Sequence, residues 1–484
     1  MRLRKEKDSL GEKKVPAESY QGIFTFRAQE NFALSESKPS AELMRALGAI
    51  KLACARTNAS LGLLEEKKAR AIARASKEFA RGKFAKEFSL DYFQAGAGTP
   101  FNMNANEIIA NRATELIGGK KGSYWVNANN DVNMSQSSND VIPTAARLVL
   151  LMKSARLTEE LKKTSKAFRK KSLEFRGILK CGRTHYMDAV PITLGQEFSS
   201  YTSLTDSSLE RISLALEGLK TVPLGGTAVG TGINTHPKFR KKAIRELSKE
   251  SGFKLNAPKN PFEPMHSMNC LVDYSNALRC LAISLHKISS DLMFLSSGPD
   301  AGAGEIILPA VEPGSSIMPG KINPSIPEAA KMACFYVQGI DHVVENAALS
   351  GHLEINVFVP VILFSLEQAT ALLSNTLKMM RTKCITGIKA DREKCLQMLE
   401  SSYSYATALN PYLGYSAVAE LVKEASRRRK PVKEVILEKN FISKKDLDAL
   451  LSLKKMTKPQ KFDKALAKKI QENKNFKKFL RSIR

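Results

Sequence analysis

Several familiar starting points for chemistry are missing from this chain of 484 residues. It has seven cysteines, at 54, 181, 270, 280, 334, 384 and 395, and none forms a Cys-x-x-Cys pair. An odd, scattered set argues against an iron–sulfur cluster and predicts reduced thiols, hence a cytoplasmic protein. The six histidines include no pair at i+3 or i+4, so a helix-borne zinc motif is absent and no metal site is expected. There is no Gly-x-Ser-x-Gly elbow, which removes serine hydrolase chemistry. Residues 118–123 contain Gly-Lys-Lys-Gly-Ser but do not fit a phosphate-binding Walker loop. The longest apolar run, residues 357–364, is too short to span a bilayer and contains Pro360. The first eight residues lack the apolar stretch of a signal peptide. Alternating strand and helix signals are missing, so a doubly wound sheet is not expected.

Acidic residues are scarce too. Lys and Arg number 75 against 48 Asp and Glu, a net charge of +27. The basic residues are spread along helical patterns, and no nucleic-acid module accompanies them. In the densest stretch, residues 454–484, the only acids are Asp463 and Glu472. We read it as a solvated face rather than a nucleic-acid site. A basic surface also helps draw in a dianionic substrate.

What is present is helix. Apolar residues make up 43% and charged residues 25%, as in a soluble globular protein. Residues 1–38 read as polar and irregular. Ser40 is placed to N-cap a helix whose apolar positions are Leu43, Leu47, Ile50 and Cys54. A second helix is predicted over 63–84. Gly96 to Pro100 breaks the pattern, and a further helix runs to Ile117 and stops at Gly118-Gly119. Long amphipathic helices are predicted over 143–176, 194–220, 237–251, 265–297, 326–350 and 354–383. The expected fold is mainly all-α: an elongated central helical bundle over 142–395, flanked by a smaller N-terminal domain (1–141) and a small C-terminal domain with a basic tail (396–484). Gly225 to Gly232 follows a helical pattern and reads as a tight connection between helices.

Three non-helical stretches carry reactive side chains. Residues 313–328 hold four prolines and two glycines, which rules out regular structure. They also carry Ser315, Ser316, Lys321 and Asn323, a set that could close over a small anion, with backbone N–H groups aimed at an oxyanion. Ser325 and Glu328 fit a capping box for the next helix. Residues 127–139 hold five asparagines and run into Ser135-Gln136-Ser137-Ser138-Asn139-Asp140. Such a segment is usually a surface loop; its alternative use is a wall of neutral donors around a carboxylate. His185 stands out by its context, Gly182-Arg183-Thr184-His185.

Four ordered segments together resemble the fumarase/aspartase superfamily of lyases. They are Gly96-Ala97-Gly98-Thr99 with Asn102-Met103-Asn104, Ser135 to Asp140, Gly182 to His185, and Gly314 to Pro324. The likeness also covers Glu6 to Phe32, Gly225 to Asn234 and the helical core to about residue 450. Residues 6–13, Gly96 to Thr99 and Ile326-Pro327-Glu328 favour the aspartate ammonia-lyase branch. Ser137-Ser138 and Leu224 to Thr227 are closer to class II fumarate hydratases.

The resemblance implies elimination from a small dicarboxylate: L-aspartate to fumarate and ammonia, or alternatively malate to fumarate. A non-enzymatic protein retaining the lyase fold is the more distant alternative. It implies Ser315 as general base on a mobile loop. Thr99, Ser137, Ser138 and Ser316 would hold the carboxylate that gains charge as an aci-carboxylate. Thr184, Lys321 and Asn323 would bind the other carboxylate. Asn139 and His185 would lie near the amino group, with Glu328 hydrogen-bonded to His185. It implies no organic cofactor, leaves divalent-cation activation open, and implies a homotetramer whose sites are each assembled from three subunits. Met187, Asp131 and Pro100-Phe101 depart from the superfamily's usual pattern.

Overall fold

The computed structural model describes residues 2–483. In chain order its first elements are β1 (Leu3–Asp8), β2 (Gly11–Pro16), α1 (Ile23–Asn31), α2 (Ala41–Ser60), α3 (Glu66–Ala80) and α4 (Thr99–Leu116). α5 (Ser138–Glu174) follows, then β3 (Leu179–Thr184), β4 (Met187–Thr193), α6 (Leu194–Leu219), α7 (Phe239–Ser251), α8 (Glu263–His266) and α9 (Asn269–Leu295). α10 (Ser325–Leu349) and α11 (Val359–Lys383) precede shorter helices from Arg392 onward. The fold is mainly helical, as expected, and each predicted long helix is present with shifted ends. The helix expected to begin at Pro143 starts at Ser138 and carries that proline inside it. The one expected over 265–297 is broken at Ser267, whose backbone is extended, between α8 and α9. The last begins at Val359 rather than 354. Pro360 sits in its first turn, where a missing N–H costs nothing.

The chain forms two compact units. The first comprises residues 1–161, 207–285 and 332–377. Its N-terminal end corrects the irregular reading of residues 1–38: β1 and β2 form an antiparallel hairpin, and α1 follows. These strands, Leu-Arg-Lys-Glu-Lys-Asp and Gly-Glu-Lys-Lys-Val-Pro, bury little beyond Glu6 and Val15, so they lack the apolar alternation that announces a strand. Glu6 is held by Arg4 at 2.8 Å and accepts from the Ile23 N–H at 2.8 Å, which ties the hairpin to α1. Glu107 of α4 receives the N–H groups of Gly22, Phe24 and Thr25 and so satisfies the start of α1.

Ser40 caps α2 as expected, its hydroxyl accepting from the Leu43 N–H at 3.1 Å. Leu43, Leu47, Ile50 and Cys54 are all buried in one core, with Ile72, Phe79, Phe101 and Ile108. α2 meets α3 closely at Gly48. A Cβ there would lie 2.7 Å from the Ala80 Cβ and 2.8 Å from the Ser76 carbonyl oxygen. In the same unit Tyr274 of α9 joins Ser154 of α5 (2.7 Å) and Thr370 of α11 (2.9 Å) through its buried hydroxyl.

The second unit comprises residues 162–206, 286–331 and 378–484. One of its cores is aromatic, built on Phe168, Phe175, Phe198 and Tyr201. A second is made by residues 405–476, with Leu421, Val435, Phe441 and Phe476 inside. The basic helices Lys464–Glu472 and Lys474–Ser482 bury Ile470 and Phe476 in that core and leave their lysines exposed. β3 and β4 form an antiparallel hairpin that the sequence reading did not anticipate.

The close approach at residue 48 gives a prediction. Gly48→Ala gains about 1 kcal/mol of helix propensity. It loses about 1–3 kcal/mol through overpacking against α3. Its melting temperature is expected to fall below that of the wild type in a thermal melt.

Candidate active site

The first unit carries the donor wall. Gly96, Ala97 and Gly98 all have positive φ (74°, 55° and 81°), which turns the chain sharply into the first residue of α4. Gly98 has no room for a side chain, since a Cβ would meet Ile142 at 2.8 Å. Thr99 therefore stands at the N-terminus of α4, where the helix end favours an anion. Its hydroxyl donates to the Gly96 carbonyl at 2.7 Å, so that hydrogen is already engaged. Pro100 occupies the first turn of α4, and Phe101 packs edge-on against Tyr92, which gives this departure from the superfamily pattern a structural use.

Residues 127–139 are not a plain surface loop. Ala128–Val132 form a π-helical turn, and Asp131, Ser135 and Ser138 are buried. Asp131 pairs with Lys68 of α3 at 3.0 Å and accepts the Asn127 N–H at 2.7 Å, so it anchors the turn. Asp140, fully buried, accepts the N–H groups of Ser137 (3.0 Å), Gly225 (2.9 Å) and Thr227 (2.9 Å). One carboxylate thus fastens the Gly225 to Gly232 connection to the serine run. Asn139 Nδ2 reaches the Ala228 carbonyl at 2.8 Å, and the Asn139 N–H reaches Ser137 Oγ at 3.2 Å. Ser138 Oγ accepts from Asn102 Nδ2 at 3.0 Å.

The second unit carries the remaining residues. β3 and β4 are joined by His185 and Tyr186, with Thr184 paired to Met187. Both turn residues have positive φ, 55° and 60°. This is the two-residue turn that normally takes Asn-Gly, so a histidine and a tyrosine there cost about 1 kcal/mol or more each. Thr184, His185 and Met187 are exposed. The hairpin is pinned behind the turn. Glu305, fully buried, binds Arg183 at 2.9 Å and Lys180 at 3.0 Å, while the Tyr186 ring packs on Phe294.

In the 313–328 loop, Ser315 Oγ accepts the N–H groups of Ile317 (3.2 Å) and Met318 (3.0 Å). Gly314 N–H donates to the Lys321 carbonyl at 2.9 Å, and Asn323 Nδ2 donates to the Gly314 carbonyl at 2.7 Å, closing the base of the loop. A side chain at Gly314 would strike the Lys321 carbonyl oxygen. Ser316 and Lys321 are exposed. Glu328 lies in the first turn of α10; among the described residues no hydrogen bond joins it to Ser325 or to His185.

Comparison with known proteins settles the lineage. Residues 11–339 match the family described as Lyase, and residues 406–458 the family described as Fumarase C C-terminus. The chain belongs to the fumarase/aspartase superfamily of lyases. An aspartate ammonia-lyase of Pseudomonas aeruginosa is 44% identical, over 94% of this chain and 97% of its own. A class II fumarate hydratase of Helicobacter pylori is 41% identical, over 95% of this chain and 100% of its own. Among solved structures, a cobalt-bound fumarate lyase:delta crystallin from Brucella melitensis aligns with TM-score 0.91 at 43% identity, over 95% of this chain and 100% of its own. A class II fumarase from Schistosoma mansoni aligns with TM-score 0.92 at 34% identity, over 95% and 100%.

For this lyase, the sequence reading missed one group beside the donor wall. Lys51 of α2 is fully buried, and its ammonium meets Asn102 Oδ1 (2.7 Å), Gln136 Oε1 (2.9 Å) and Asn133 Oδ1 (3.1 Å). The signal was available: 51 falls on the same face as 43, 47, 50 and 54, where a lysine is out of place. Burial pushes the Lys51 ammonium down to about 7 and the Asp140 carboxyl up to about 6. Above about pH 7 the folded lyase has released a proton that the unfolded chain keeps to about pH 10. Lys51 therefore adds stability as pH rises through that window. Lys51→Met is expected to lack this rise, read from paired thermal melts between about pH 7 and about pH 9.

Proposed function

We propose that the chain is an aspartate ammonia-lyase that removes ammonia reversibly from L-aspartate to give fumarate, with Ser315 as general base. The proton to be removed sits beside one carboxylate and is very weakly acidic. Its loss leaves an aci-carboxylate with an extra negative charge, which needs convergent donors already in place. The observation that carries the reading is the pair of N–H groups aimed at Ser315 Oγ. A serine is a poor base unless its alkoxide is stabilised, and two fixed dipoles offer that stabilisation. The bland account, a local serine turn, uses the same two bonds but gives no reason for the exposed Lys321 beside it.

In this reading Ser316, Thr99, Ser137 and Ser138 take the carboxylate that gains charge. Thr184, Lys321 and Asn323 take the other, Asn139 and His185 face the amino group, and Glu328 orients His185. No organic cofactor is needed, because the charge is met by hydroxyls, amides and one ammonium. Supporting L-aspartate are the motifs of residues 6–13, 96–99 and 326–328 and the Pseudomonas aeruginosa aspartate ammonia-lyase. Malate is the second reading, supported by Ser137-Ser138, Leu224 to Thr227 and the Helicobacter pylori fumarate hydratase. We propose a cytoplasmic protein, a reading supported by seven free cysteines. No helix among the described residues is long and apolar enough to cross a membrane.

We also propose a homotetramer whose sites combine residues of different copies. Supporting this, α10 leaves Met332, Phe335, Tyr336 and Val343 exposed at helical spacing, a stripe that another copy of the chain would cover.

Supplied separately with L-aspartate and with malate, the protein is expected to form fumarate from L-aspartate; turnover of malate alone overturns the choice of substrate. Ser315→Ala is expected to lose at least about a hundredfold in turnover while keeping its oligomeric mass. Unchanged turnover means another base. Co-refolded mixtures of Ser315→Ala and Thr99→Ala chains are expected to regain part of the activity that each lacks alone. No recovery means that each copy supplies its own site.

A further inference from the structure

A buried ammonium needs an acceptor for every hydrogen, and those of Lys51 go to three side-chain amide oxygens rather than to a carboxylate. While it keeps all three hydrogens, below about pH 7, this lysine can only donate, so it dictates which way each amide points. With its oxygen turned to Lys51, Asn102 must present its NH₂ on the other side. There Nδ2 donates to Ser138 Oγ at 3.0 Å and to Asn133 Oδ1 at 3.1 Å. A serine hydroxyl that already accepts from an amide keeps its single hydrogen for a further partner. The reversed amide would instead take the hydrogen of Ser138 and set two donors, Lys51 and the NH₂, against each other.

We propose that Lys51 is a positioning residue for the substrate carboxylate: acting through Asn102, it fixes Ser138 as a hydrogen-bond donor toward that anion. The proposal rests on the reading that Ser138 contacts a dicarboxylate. Lys51 itself, with no exposure, touches nothing that enters the site. Its influence is the orientation of one amide and the polarisation of that amide by a nearby charge.

The test is a double-mutant cycle read by calorimetric binding of succinate, a dicarboxylate that cannot eliminate, together with kcat and KM. Ser138→Ala, Lys51→Met and Asn102→Asp are each expected to weaken succinate binding about tenfold, the worth of one hydrogen bond to a charged group. In the Ser138→Ala background, the other two substitutions are expected to add nothing further. Asn102→Asp keeps the ammonium paired with a new carboxylate, whereas Lys51→Met leaves three amide oxygens without their donor; the aspartate cannot donate to Ser138. Full additivity with Ser138→Ala, or wild-type affinity in Asn102→Asp, overturns the proposal. If the wild type neither binds succinate nor turns over a dicarboxylate, the reading of the site itself falls, and the relay with it.

Discussion

A positive charge sealed inside an apolar helical core constrains everything near it. Lys51 has no carboxylate within ion-pair distance among the described residues, and its solvation is rebuilt from Asn102, Asn133 and Gln136. Those amides lie on α4 and on the segment ahead of α5, so three parts of the chain must arrive in register before the ammonium is satisfied. The serine run is attached to the same assembly, through Asn102 to Ser138 and through Asp140 to Ser137. An unsatisfied buried group costs several times what a satisfied one contributes. The serine run is therefore held in part by the requirement that the buried polar groups beside it be satisfied.

The second unit solves a different problem. Its reactive side chains sit on an exposed turn and an exposed loop, where packing cannot hold them. The hairpin is anchored by Glu305, which pairs with two basic residues of β3 where it is fully buried. The 313–328 loop instead holds itself by backbone and amide bonds across Gly314. It leaves the Lys321 side chain exposed. One segment is anchored by a buried carboxylate, and the other braces itself across Gly314.

The long helices were legible in the sequence because each carries one apolar face at a period near 3.6, and Ser40 marked the start of α2 with its own side chain. Polar strands were not. β1 and β2 are written in Lys, Arg and Glu, and β3 and β4 are interrupted by Gly182 and Pro191, so neither pair shows alternation. The motif residues could be identified because their types and order are distinctive. Lys51 carries no motif, and its role exists only through neighbours 51 and 82 or more positions away in the chain. Asp131 likewise reads as a departure in sequence, yet it is locally explained by Lys68.

The turn between β3 and β4 sets a trap for anyone seeking sturdier variants. Left-handed backbone at both positions rewards Asn and Gly, and random search for heat resistance will find them, at about 1 kcal/mol apiece. Such clones would look improved by every measure of folding while discarding the imidazole at position 185. Enrichment by survival alone would drive the population toward well-behaved scaffolds that no longer carry that side chain.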